Sequence, residues 1–171
     1  MRLLFLTSLI LLGAACHVAP ASRPKTPAPA IQPTFDHSLR ALELKVFAAA
    51  NHQRRLHGLP VLAWSEALAD QARIQSTNMM ERGFFSHVDP VRGPLAARLN
   101  AAGIPWLRCS ENIFREQGMD DPPDSAVEGW MKSPAHRQSL LDPLVTQSGV
   151  GIAISPDTEY FITQVFLRPP K

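Results

Sequence analysis

GVGIAISPDTEYFITQVFL, residues 149–167, is the stretch whose reading decides the fold. Val150, Ile152 and Ile154 alternate with small residues, the period of two that marks a strand. Pro156-Asp157-Thr158 is a turn, and the alternation resumes from Tyr160 to Leu167. Phe161, Thr163, Val165 and Leu167 share one side of this second strand, while Tyr160, Ile162, Gln164 and Phe166 share the other. Both sides are largely apolar, so the strand is expected at the centre of a sheet and covered on both faces.

Upstream of the hairpin the apolar spacing changes to that of helices. Leu39, Leu42, Val46, Ala50 and Gln53 repeat at helical intervals and predict a helix over 38–57, stopped by Gly58 and Pro60. A second helix is expected from Ser65, a good N-cap residue, through Leu68, Ala72, Gln75 and Met79 to Gly83. A shorter one lies between Pro94 and Ala102, closed by Gly103. Arg108 to Phe114 reads as extended. Asp120 to Asp124, with Pro122 and Pro123, reads as a loop and helix start. That helix passes through Ala126, Val127 and Trp130 to Ser133-Pro134, and a short helical stretch follows around Leu140. Helices first and an antiparallel sheet last give an α+β layered domain. No internal repeat, low-complexity tract or phosphate-binding glycine loop interrupts it.

The chain has 171 residues, enough for one domain with its own core. Its net charge is only +2 and no run of Lys or Arg stands out, which argues against nucleic acid as a partner. Residues 1–15 have the form of a signal peptide: Arg2, an apolar run from Leu3 to Leu12, then the small residues Gly13, Ala14 and Ala15. The run is too short to cross a bilayer core of about 30 Å. Cys16 stands where a bacterial lipoprotein carries its acylated cysteine, although Gly13 replaces the usual aliphatic residue three positions earlier. The alternative is plain cleavage further on, after Ala21. Residues 16–35 form an Ala/Pro-rich linker, read either as an extended tether or as a tail without a role. The domain is expected over 36–171. With Cys16 acylated, Cys109 has no partner for an internal disulfide, and two cysteines do not make a zinc site.

Four stretches carry groups able to do chemistry: 84–90 (FFSHVDP), 110–113 (SENI), 130–137 (WMKSPAHR) and 160–166 (YFITQVF). His87 follows a helix end and is either a helix-capping, buried ring or a site residue. Glu111 shares a strand face with Cys109 and Ile113, so it either faces solvent or is buried with a partner. His136 is either a helix-start residue or a cleft residue. Asn112 and Arg137 suit hydrogen-bonding struts. Glu128 is placed on a helix surface. Cys109 shares a strand face with Glu111 and is either a buried core thiol or a nucleophile.

Together these stretches resemble the CAP (SCP) superfamily of cysteine-rich secretory, antigen 5 and pathogenesis-related proteins, in its bacterial form. The likeness runs from Leu44 to Phe166. It includes Asn51 and Arg54, the run Leu59 to Trp64, Phe85 to Pro90, Arg98, Gly103, Ser110 to Ile113, and Ala126 with Trp130. Ser133 to Arg137, Leu140-Leu141, Pro143, Val150 to Ile152 and Thr163 to Phe166 complete it. The resemblance implies an α-β-α sandwich with a central antiparallel sheet and an open cleft. In animal and plant members that cleft holds two histidines and two acidic residues able to bind a divalent metal. His87 matches the first histidine and Glu111 the first acid. The second acid falls near Ser133 and the second histidine near Tyr160, so the set is incomplete here, with His136 offered by the bacterial pattern instead.

These readings lead to an exported protein of the cell envelope, either lipid-anchored through Cys16 or secreted. Its cleft is expected to bind a lipid or cell-envelope glycan through His87, Glu111, Asn112, His136 and Tyr160, without turnover. The alternative is a hydrolase of an envelope substrate. It would use His87 and His136 as ligands of a divalent metal such as zinc, or a metal-free His/Glu acid–base pair. No nucleophile elbow or His-Glu-x-x-His helix commits the chain to a reaction.

Overall fold

The computed structural model describes residues 37–118 and 121–171. The expected signal peptide, Cys16 and the 16–35 linker lie outside the described residues. The elements are α1 (His37–Leu56), β1 (Ala63–Trp64), α2 (Glu66–Arg82), α3 (Leu95–Ala101), β2 (Arg108–Gln117), α4 (Pro122–Lys132), α5 (Pro134–Leu140), β3 (Gln147–Ile154) and β4 (Glu159–Arg168). They form a mixed α+β domain with one four-stranded sheet in the order β1-β3-β4-β2.

The hairpin reading fits this sheet. β3 and β4 pair antiparallel, with Val150 opposite Gln164 and Ile152 opposite Ile162. The turn between them contains Thr158, whose φ of 61° is the one positive value for a non-glycine among the described residues. β4 also pairs antiparallel with β2, setting Glu111 opposite Val165. It is therefore an inner strand, as its two apolar faces require. The expectation of a purely antiparallel sheet needs one correction. Ala63–Trp64 adds a two-residue edge strand parallel to β3, and two residues are too few to show any period.

Parity along the strands sorts the side chains into two cores. On one face Val150, Ile152, Ile162 and Phe166 pack with Val46 and Ala50 of α1, Val127 and Trp130 of α4, and Leu140 of α5. On the other, Val165 and Leu167 pack with Leu68 and Ala72 of α2 and Leu95 and Leu99 of α3. Met79 meets Ile113, Ala153 and Phe161 on that same face. The result is an α-β-α sandwich. α2 sits so close to β3 that a Cβ at Gly149 or Gly151 would fall within the backbone of Ala69 or Arg73. Only glycine permits that approach.

β2 is left as the long edge strand, with α3 beside it on one face and α5 on the other. Functional side chains gather along this edge.

Candidate functional site

Gly83, at φ 65°, ends α2, and the chain turns into the 84–94 loop. This loop is organised by Asp89, a buried carboxylate. Its Oδ1 accepts the backbone N–H groups of Val91 and Arg92 at 2.8 and 2.9 Å. Its Oδ2 accepts from Asn78 Nδ2 at 2.7 Å. Burial pushes the Asp89 pKa up, but these hydrogen bonds and the nearby Arg82 charge outweigh it and hold the carboxyl below its usual value. Gln75 adds a bond from Nε2 to the carbonyl of Ser86 at 2.9 Å. His87 is therefore presented by a loop fixed on both sides.

Glu111 rises from β2 beneath it. One carboxylate oxygen lies 3.1 Å from His87 Nδ1, and the other accepts from Arg98 Nη2 at 2.7 Å. The same Arg98 nitrogen donates to the His87 carbonyl at 3.3 Å. Arg98 is wholly buried and the Glu111 side chain almost so, while the His87 ring is half exposed. A carboxylate only accepts, so His87 donates through Nδ1 and keeps Nε2 for a ligand.

His136, in the first turn of α5, brings its ring to 6.0 Å from that of His87, centroid to centroid. Its carbonyl accepts from Asn112 Nδ2 at 3.0 Å. Burial, and then the neighbouring His87, push the His136 pKa down. The two histidines and Glu111 line a groove of ≈ 460 Å³, with Val88, Pro94, Leu95 and Ala135 on its walls and Ser110 and Ser139 between them.

The structure thus brings His87, Glu111 and His136 together. Asn112 belongs to the site indirectly: it is fully buried on the opposite strand face from Glu111 and anchors the His136 backbone. Tyr160 is a correction. It pairs with Glu116 on β2 and Ile154 on β3, at the far end of the strand from Glu111. Its ring packs into the α1/α4 core. Even parity on β4 turns it away from the Glu111 face, so it takes no part in this groove. Glu128 is exposed and lies 3.5 Å from Lys132 on the surface of α4. Cys109 lines the groove, but burial first and Glu111 second push its thiol pKa up, the wrong direction for a nucleophile.

Sequence reasoning quoted Arg98 without reading its role. The signal was present, since an arginine three residues after Leu95 and one before Leu99 falls on the apolar stripe of its helix. Such a residue demands a buried anionic partner.

A zinc centre does not fit these donors. A catalytic site needs three protein ligands. Both Glu111 oxygens are already engaged, and among the described residues no group of three His, Cys, Asp or Glu side chains could hold a metal ion. Nor does any helix among the described residues have the length and apolarity to cross a membrane.

Comparison with known proteins gives the family. The profile of the CAP, or cysteine-rich secretory protein, family matches residues 47–166. YkwD, an uncharacterized protein of Bacillus subtilis (strain 168), is 34% identical over 146 residues, covering 84% of this chain and 54% of that protein. YlbC, an uncharacterized membrane protein of the same organism, is 36% identical over 126 residues, covering 74% and 34%. The chain thus spans about half the length of one relative and a third of the other. Among solved structures, an extracellular protein containing an SCP domain from Bacillus anthracis superposes with a TM-score of 0.67 at 33% identity, covering 75% of this chain and 41% of that one. An outer surface protein of Borrelia burgdorferi shares the fold, with a TM-score of 0.69 at 14% identity, covering 77% and 95%. With the sandwich and most of its length matched, this chain belongs to the CAP family of cysteine-rich secretory proteins.

Proposed function

We propose that this protein is exported to the cell envelope and uses the groove at His87, Glu111 and His136 to bind a lipid or envelope glycan without turning it over. One observation carries the reading. The His87 imidazole is fixed by Glu111, itself held by the buried Arg98, beside a second histidine at an open groove with apolar walls. Such a groove pairs a few fixed polar groups with apolar contact, the usual make-up of a small-ligand site. The extracellular description of the Bacillus anthracis relative supports export, and acylation of Cys16 would hold the domain at the membrane. Two lining groups that could serve as nucleophiles are not activated: the Cys109 thiol is shifted upward, and Ser110 Oγ is buried without a hydrogen-bond partner among the described residues.

The His87–Glu111 contact favours one other reading. An imidazole oriented by a carboxylate is how a general base is presented to a water molecule. The full chain, purified from its envelope fraction and extracted for mass spectrometry, is expected to carry a lipid or glycan that the His87→Ala and His136→Ala variants lose while keeping their circular dichroism. A ligand-free protein that releases product from envelope preparations, and stops doing so in Glu111→Gln, would replace binding with hydrolysis.

A further inference from the structure

The groove beneath His87 is not closed at its α5 side. It shares Cys109, Ser110 and Ser139 with a second cavity of ≈ 440 Å³ that extends past Trp106 and Arg108. That cavity in turn shares Arg108, Gln138 and Asp142 with a third, of ≈ 430 Å³. The third lies over Pro134, Arg137, Gln138 and Leu141, which are one face of α5 at helical spacing. The three together make one open trough that follows the free edge of β2 from Glu111 back to Arg108 and then turns across α5.

We infer that this trough holds an extended, carboxylate-bearing glycan strand, with His87 and His136 at one end and Arg137 and Gln138 as its distal subsite. The inference rests on the groove being a binding site and names what it binds. Length comes first: Glu111 and Arg108 are three strand residues apart, so a ligand touching both must exceed about 10 Å. The open shape of the trough and its polar middle section favour sugar over acyl chain, although apolar walls predominate at both ends. An acyl chain gains most from enclosed apolar walls, whereas this trough is open and carries donors and acceptors along its course at Arg108, Ser110, Gln138 and Ser139. Pro134 and Leu141 offer apolar surface to the faces of sugar rings. The distal end is positive. Arg108 is paired with Asp142, while among the described residues the exposed Arg137 meets only His57 Nε2, at 3.1 Å. One guanidinium is left in excess, and its fork suits a carboxylate.

The test is binding of the full chain to a peptidoglycan-derived disaccharide and octasaccharide, both bearing lactyl carboxylates, with phosphatidylglycerol vesicles alongside. The octasaccharide is expected to bind at least about tenfold more tightly, one added charge-assisted contact being enough for that. Arg137→Ala and Gln138→Ala, each with unchanged circular dichroism, should lower octasaccharide affinity toward that of the disaccharide and leave the disaccharide unaffected. His87→Ala should weaken both. Equal affinity for the two lengths, lost in His87→Ala, overturns the trough and leaves the binding groove standing. Binding to vesicles and to neither sugar overturns the glycan strand while keeping a lipid site, and binding to none of the three overturns both readings.

Discussion

Arg98 carries a guanidinium into a helix face otherwise made of Leu95 and Leu99, and a buried charge is tolerated only when it is paired. Glu111 is that pair, and the spare oxygen of Glu111 then fixes His87. A structural need and the orientation of an imidazole are met by one carboxylate. Among the described residues the His136 ring has no such anchor, and its environment makes it sensitive to pH. Its pKa is lowered by burial and then by His87, so the folded protein binds this proton less readily than the unfolded chain does. The stability that a neutral His136 contributes is therefore complete above the unfolded value of about 6.5 and is lost as pH falls through the lower folded value. Urea unfolding midpoints measured from pH 7 to pH 5 should fall more steeply in the wild type than in His136→Gln. Parallel curves would mean that His136 is no more buried than an ordinary surface histidine.

β3 and α2 meet backbone to backbone at Gly149 and Gly151. Gly151→Ala would drive a methyl group into the backbone of Arg73, and Gly149→Ala one into Ala69, neither of which can swing aside. Overpacking of this kind is expected to reduce stability by about 3 kcal/mol or more. Gly129→Ala on α4 is the natural control, because its Cβ meets only the Phe114 ring at 3.2 Å and alanine favours a helix by about 0.5–1 kcal/mol. Chemical denaturation of the three variants should separate them widely, and similar small losses would show that α2 can shift on the sheet. The small residues alternating with Val150, Ile152 and Ile154 were visible in sequence as a strand pattern, and α2 is the reason that they are small. Elements with several repeats of their period, such as α1, α2, β3 and β4, were legible to within a residue or two. β2 was read as ending at Phe114 but runs on to Gln117, because the polar residues Arg115 and Glu116 still pair with Phe161 and Tyr160. Pairing with a partner strand cannot be seen in one segment alone.

The candidate site draws on three of the four chemistry-bearing stretches, and they meet only when the sandwich closes, which is why sequence reading could name His87, Glu111 and His136 but misplace Tyr160. Strand parity was correctly read for Tyr160 itself. Which face β2 turns toward the histidines depends on the antiparallel register between β2 and β4, and that is a property of the folded sheet. Two buried arginines hold the two walls of the site. Arg98 fixes the His87 wall, and Arg54 of α1 fixes the other by donating to the carbonyls of Pro60, Leu140 and Asp142, each at 2.9 Å. Asp142 in turn pairs with Arg108 at the distal end of the trough. Arg54→Met keeps the bulk but leaves three carbonyls without their donor, a loss expected to total about 3 kcal/mol or more. The walls are separate in their anchoring, so the damage should be local. Hydrogen exchange should accelerate over 58–62 and 138–146 while the 87–98 segment keeps its protection. Loss of protection spread evenly through the chain would instead show that the two walls open as one cooperative unit.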